Sequence, residues 1–246
     1  MRDKFKCFEI LERGAKPPVG YQYIKLLWTF DVKFDGHKRA RQVAGGHMTP
    51  KLDTEDTYSS MISLDTIKLA FLAGELQDLK CMTGDISSAY IQAHTKELIY
   101  TIAGPEFGPN AGQILLVNKA LYGLQTSGNE WHAKLADNLY SLGFVPTRSD
   151  PDLWIKQVAG HYEFIGVFVD DITVFSKNPK AILETLSSTF GYELKNVGPP
   201  EYYNSADLAF SLSIGKWTLS AKTYIKTVTQ KIESLFKISL KNYGPP

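Results

Sequence analysis

Two adjacent aspartates interrupt the apolar run GVFVDDITVF, Gly166–Phe175, and this interruption restricts the fold more than any other feature of the chain. The flanking residues are β-branched or aromatic and read as strands on either side of Asp170 and Asp171. Ionised carboxylates are costly to bury unless hydrogen bonds or positive charge meet them. Aspartates also favour turns, where they bond nearby N–H groups, so a solvated hairpin tip is the plain reading of this segment alone. A tight hairpin, however, prefers Asn-Gly or Asp-Gly. Ile172, which follows the pair, is β-branched and disfavours positive φ. The expectation is therefore a buried, sharply turned pair aimed at something.

The rest of the chain supplies helices and hairpins without strict βαβ alternation, which predicts an α+β fold with an antiparallel sheet. YIKLLWTFDVKF and RARQVAGG form a predicted hairpin rich in basic residues. Ser63 is an expected N-cap for a helix with Leu64, Ile67, Phe71 and Leu72 at helical spacing. LKCMTGDISSAYIQA reads as a strand ending near Asp85, and KELIYTIAG and QILLVN as short strands around the loop GPEFGPNAG. After Gly128, the residues Trp131, Leu135, Leu139 and Leu142 mark an amphipathic helix closed by Gly143. Asn178-Pro179 opens another helix as N-cap and N1, with Ile182, Leu183, Leu186 and Phe190 inward. A hairpin about Gly215-Lys216 precedes a last helix, from about Lys222 to Phe236, with Ile225, Val228, Ile232 and Leu235 on one face.

Composition narrows the function classes. With 43% hydrophobic and 22% charged residues in 246, the chain suits one large domain or two lobes. A formal net charge of +1 carries no global polyanion signature, so a nucleic acid would have to be met by a local basic patch. Cys7 and Cys81 lack CxxC spacing, which argues for reduced thiols in a cytosolic or nuclear protein. No apolar run approaches the roughly 20 residues of a membrane span, and MRDKFKCFEI does not read as a signal peptide. The expectation is a non-secreted protein with no membrane partner.

Asp85 is the natural third carboxylate, because it closes an apolar strand and small polar residues follow it. Three carboxylates on one spot repel unless cations neutralise them. Oxygen-only ligation of this kind suits Mg²⁺ or Mn²⁺ and leaves positions for substrate phosphates. Two-metal phosphoryl transfer asks for that arrangement.

FDVKFDGHKRARQVAGGH, GDISSAYIQA, YTIAGPEFGPN, LYGLQTSGNEWH, SDPDLW and FVDD, in this order, resemble the reverse transcriptase of copia-type LTR retrotransposon Pol polyproteins. The resemblance implies a right-hand polymerase: residues 1–80 mainly fingers, 81–200 palm with a fingers insertion at about 95–130, and 201–246 a palm/thumb hairpin with a partial thumb helix. It implies RNA-directed DNA polymerase activity on a primed RNA or DNA template with dNTPs, and RNase H and integrase domains as polyprotein partners. It also implies a cytoplasmic virus-like particle or the nucleus as the setting. Asp85, Asp170 and Asp171 match the metal-binding aspartates, with the carbonyl of Ile86 as a further ligand for two Mg²⁺ or Mn²⁺ ions. Lys33 and Arg41 match the residues that grip the triphosphate, where a guanidinium fork suits phosphate. Tyr90 matches the aromatic residue under the incoming sugar, with a steric role against a 2′-OH. Gly123 and Gln125 belong to the nucleotide-side motif. Phe168, Val169, Tyr203, Asn204 and Ser205 match primer and template positions, and Lys25, Lys38 and Arg39 are candidates for template phosphates.

The sequence departs from that pattern at several positions. Gln125 replaces a basic residue, Asn129-Glu130 a small or basic pair, Gln42 an apolar residue, and Asn204-Ser205 a Leu-Gly pair. Glu130 is expected to repel phosphates if it faces them. These changes keep a second reading open, a catalytically silent nucleic-acid-binding remnant of a retrotransposon. An unrelated hydrolase with a carboxylate-bound metal leaves the order of motifs unexplained.

Overall fold

The computed structural model describes residues 5–32, 36–49, 57–203, 206–211, 213 and 215–240. Lys33, Asn204 and Ser205 lie outside the described residues. In chain order the first strands are β1 Phe8–Ile10, β2 Gln22–Tyr23, β3 Leu26–Val32, β4 Lys38–Ala44 and β5 Lys80–Ile86. Next come β6 Ile99–Ile102, β7 Ile114–Val117, β8 Val145–Pro146, β9 Leu153–Val158 and β10 His161–Phe168. The last are β11 Asp171–Ser176, β12 Leu194–Gly198, β13 Tyr202–Tyr203, β14 Ala206–Ser211 and β15 Lys216–Ser220. The helices are α1 Leu64–Leu76, α2 Ala89–Gln92, α3 Ser127–Ser141, α4 Pro179–Phe190 and α5 Lys222–Phe236.

Two compact units divide the chain, and each is assembled from separate segments. The first comprises Met1–Met61, Ile86–Val145 and Phe168–Asp170, and the second Ile62–Asp85, Pro146–Val167 and Asp171–Pro246.

In the first unit a four-stranded sheet has the order β1-β7-β6-β2, with β2 parallel to β6 and the other pairs antiparallel. Ile24, Ile91, Ile99, Val117, Leu121 and Leu124 fill its core. GPEFGPNAG is not a plain loop. It contains a 3₁₀ helix, Pro105–Asn110, which seats Phe107 edge-on against Phe8 with ring centres 5.6 Å apart. The expected basic hairpin is β3–β4, with Leu26 opposite Ala44 and Val32 opposite Lys38.

In the second unit a six-stranded sheet runs β12-β5-β11-β10-β9-β8. Ser63 caps α1 as expected, its hydroxyl accepting from the Thr66 N–H at 3.1 Å. The buried face of α1 is Ile67, Ala70, Phe71 and Gly74, whereas Leu64 and Leu72 are exposed. Small residues set that face: a Cβ on Gly74 would stand 3.0 Å from the Phe175 ring, and Phe71 meets Phe175 edge-on at 4.9 Å. The opposite face of the sheet carries α4, capped by Asn178 and ended by Gly191 at φ +72°. Its Leu183 reaches over Gly84, where an added Cβ would lie 3.5 Å away. Beyond the sheet, β13-β14-β15 form a three-stranded sheet. The amphipathic α5 buries none of its side chains, and Ile225 and Leu235 of its apolar face stand exposed.

Asp150, from SDPDLW, ties α1 to the start of β9. Its carboxylate accepts from the Ser63 N–H and the Asp152 N–H, both at 3.0 Å. Burial raises its pKa, but hydrogen bonds from Ser63, Thr66 and Asp152 outweigh that and hold it below the ordinary carboxylate value. A depressed folded pKa gives stability that is present above the unfolded value, near 3.9, and is lost as pH falls through the folded one. Asp150→Ala should destabilise the second unit by about 2 kcal/mol at neutral pH. The difference from wild type should shrink in acid, read by urea unfolding at pH 7 and pH 3.

Candidate active site

Within the second unit, β5 and β11 are antiparallel and Asp171 stands directly opposite Asp85, followed by Ile172–Gly84 and Thr173–Thr83. Register partners share a face. Asp85 and Asp171 therefore lie on the α1 side, two pairs beyond the buried Thr173 and four beyond Phe175. Asp85 is half-buried and Asp171 exposed. Like charges directly opposite across a sheet are unfavourable unless something positive meets them.

Within the first unit, Asp170 occupies the turn between β10 and β11 and is half-buried. Its carbonyl accepts from the Ile86 N–H at 2.8 Å. The expected sharp turn is present, but the pair is not buried: Asp170 is half-buried in the turn, and β11 begins at the exposed Asp171. Positive φ is also present after all, at Val169 rather than at Ile172, with φ +58°. Among the described residues no three His, Cys, Asp or Glu side chains gather closely enough to hold a metal ion. Three like charges have no reason to close up before a cation neutralises them.

Around Asp170 the first unit sets a line of aromatic and basic groups. Tyr90, in α2, packs on Tyr122 with ring centres 4.7 Å apart, and the Arg41 guanidinium lies 5.9 Å from the Tyr122 ring. Burial, and then the charge of Asp170, raises the pKa of both phenols, while Arg39 and Arg41 pull Tyr122 back down. The buried Nε of Arg41 has no hydrogen-bond partner among the described residues. Lys25, Lys38 and Arg39 are exposed. Phe168 ends β10, half-buried, and Tyr203 pairs with Ala206 in β13–β14. Tyr122 was not singled out in the sequence. Its only signal is its place in LYGL, beside the glycine of a close approach.

That approach is between two backbone segments of the chain itself. The Ala44 N–H donates to the Tyr122 carbonyl at 2.7 Å. A Cβ on Gly123, at φ +93°, would stand 2.2 Å from the Ala44 carbonyl oxygen, and one on Gly46 would stand 2.2 Å from that of Gly123. Gln125 latches the crossing, donating from Nε2 to the Gly46 carbonyl at 3.0 Å and the Thr49 hydroxyl at 2.8 Å. Gln42 reaches Glu106 at 3.4 Å. Glu130 does not face phosphates. It is buried, and its Oε1 accepts from the Lys96 N–H at 2.6 Å. Burial raises its pKa. Glu97 returns the bond, accepting from the Thr126 N–H at 3.2 Å and hydroxyl at 2.8 Å. The two glutamates clamp the start of α3 to residues 95–97.

The profile of the family described as "Reverse transcriptase (RNA-dependent DNA polymerase)" matches residues 11–238. The chain belongs to that family, and its relatives place it with the copia-like reverse transcriptases of retrotransposon Pol polyproteins. It is 25% identical over 240 residues to the retrovirus-related Pol polyprotein from transposon TNT 1-94 of Nicotiana tabacum, covering 93% of this chain and 18% of that protein. It is 30% identical over 224 residues to the transposon Ty1-DR4 Gag-Pol polyprotein of Saccharomyces cerevisiae, covering 86% and 13%. A third relative, the Pol polyprotein from transposon RE1 of Arabidopsis thaliana, is 28% identical over 182 residues. The chain thus spans less than a fifth of the length of these curated relatives. No described helix is long and apolar enough to cross a membrane.

The glycine crossing gives a controlled comparison. Gly123→Ala should cost about 3 kcal/mol or more, combining left-handed strain with the clash on Ala44. Gly112→Ala, at φ +81° with nothing within 4 Å, should cost only about 1 kcal/mol. Equal losses in chemical denaturation would remove the close approach as the reason for Gly123.

Proposed function

We propose that the chain is the RNA-directed DNA polymerase core of a retrotransposon Pol polyprotein, joining deoxynucleotides to a primer 3′-OH on an RNA or DNA template. The observation that carries this reading is the pairing of Asp171 with Asp85 at the end of β5–β11, in a chain of the reverse transcriptase family. A right-hand arrangement follows as part of the proposal, with fingers in 1–80 and about 95–130, palm in 81–200 and a partial thumb in 201–246. The mixed hairpins and helices, and the closing sheet with α5, support it.

By the resemblance, Asp85, Asp170 and Asp171, with the Ile86 carbonyl, would supply hard oxygens, a donor type that fits Mg²⁺ or Mn²⁺. The direct opposition of Asp85 and Asp171 across β5–β11 supports a cation there. When bound, divalent ions supply Lewis-acid activation of the primer hydroxyl and neutralise charge on the leaving pyrophosphate. The residues of the chain do the positioning. Arg41 offers its free Nε–H to triphosphate oxygens, with Arg39 of the same strand and, by the resemblance, Lys33 as further cations. Tyr90, packed at a tilt against Tyr122, presents a ring edge to the sugar. In the reaction the primer 3′-oxygen bonds to the α-phosphorus as the bond from that phosphorus to the departing pyrophosphate breaks. Integrase and RNase H segments of a Pol polyprotein, and a template held on Lys25, Lys38 and Arg39, complete the expected partners.

The silent-remnant reading loses one of its supports, because the buried Glu130 holds the Lys96 N–H rather than opposing phosphates. Purified protein should extend a DNA primer on an RNA template with Mg²⁺ or Mn²⁺. Asp170→Asn should lower the rate by about a thousandfold or more while primer–template binding persists. Salt-sensitive binding by the wild type with no extension would instead establish the remnant. Tyr90→Ala should keep dNTP incorporation and raise ribonucleotide incorporation by about tenfold or more, scored by alkaline cleavage of the product. An unchanged ratio would remove the steric role of Tyr90.

A further inference from the structure

Val169 holds a left-handed backbone at φ +58°, a conformation that crowds any L-residue and a β-branched one most. Something must hold it there. The indole N–H of Trp131 donates to the Val169 carbonyl at 2.7 Å, and Trp131 itself is only 2% exposed. The next carbonyl, that of Asp170, accepts from the Ile86 N–H at 2.8 Å. Two consecutive carbonyls of the turn are thus fixed from outside it, one by a side chain and one by backbone.

Trp131 is well placed to act as a fixed point. It sits in the second turn of α3, whose start is anchored three ways. Ser127 Oγ donates to the Leu121 carbonyl at 2.6 Å, Thr126 bonds Glu97, and Glu130 holds the Lys96 N–H. The Glu97–Glu130 clamp therefore fixes α3, α3 fixes the indole, and the indole fixes the carbonyl before Asp170.

We propose that Trp131 is a positioning residue for the aspartate turn: its indole N–H holds Val169 in the left-handed conformation and so sets where Asp170 points. The catalytic consequence rests on the polymerase reading above, whereas the positioning itself does not. Trp131→Phe retains most of the ring and removes the donor. Replacement of Trp131 by benzothienylalanine, in which sulfur stands for the N–H, retains the full shape. Val169→Asn supplies a side chain that tolerates the left-handed region.

Hydrogen exchange at the Ile86 amide reads the turn without any activity. Both Trp131 replacements should lower its protection by about tenfold, as expected for one lost hydrogen bond. Adding Val169→Asn should restore most of it. In primer extension, both Trp131 replacements should lower kcat about tenfold with KM for dNTP nearly unchanged. If Trp131→Phe fails to fold, the isosteric benzothienyl protein decides the matter. Full protection of Ile86 in the isosteric protein, or no recovery with Val169→Asn, overturns the proposal. A wild type that does not extend primers defeats the polymerase reading alone, and the exchange data still judge Trp131.

Discussion

The register of β11 against β5 is the constraint on which the rest of the second unit depends. A slip of one residue would turn Asp171 away from Asp85 and would also carry Phe175 from the α1 face to the α4 face. Register is strongly specified here because both faces are covered: Phe71 and Gly74 receive Phe175 on one side, and Leu183 lies over Gly84 on the other. The position of the acidic pair is therefore set by apolar packing several residues away. The carboxylates contribute little to their own placement.

The first unit uses a different device, close approach of backbone. Gly46 and Gly123 let the end of β4 and the segment before α3 cross at a distance no side chain permits. Gln125 then closes the crossing with an amide that bonds two carbonyls and a hydroxyl. A lysine at this position would carry charge but would give up the planar amide fitted to those acceptors. The departures from the usual pattern are thus coupled: Gln125 and Glu130 flank one stretch, and each satisfies backbone groups of a neighbouring segment.

Elements governed by local chemistry were legible in the sequence. Ser63 and Asn178 cap their helices, Gly143 and Gly191 follow theirs with positive φ, and the β3–β4 and β14–β15 hairpins fall where turn residues mark them. What periodicity misjudged was decided by tertiary fit. The leucines of α1 suggested its buried face, but Ala70 and Gly74 define it, because only a small side chain leaves room for Phe175. Glu130 read as a surface charge because sequence alone cannot show an N–H waiting thirty-four residues upstream, as at Lys96. The aspartate turn was recognised as unusual, yet positive φ was argued against from Ile172, after the pair. It lies before it, at Val169, where the indole of Trp131 supplies a partner that no local rule predicts.

The exposure of Asp171 bears on how such a site stays folded. Two unit charges about 5 Å apart repel by roughly 1 kcal/mol in water and about 3 kcal/mol at an effective dielectric of 20. With Asp171 exposed and Asp85 only half-buried, the lower figure governs, so the pair burdens the fold lightly. The rigid parts lie elsewhere, in the Val169 turn and in the sheet beneath Asp85. Charge and packing are thus separated along the same two strands, the acidic pair at their ends and the apolar contacts further in. Burying the aspartates deeper would strengthen their field but would draw on the same few kcal/mol that keep a domain of this size folded.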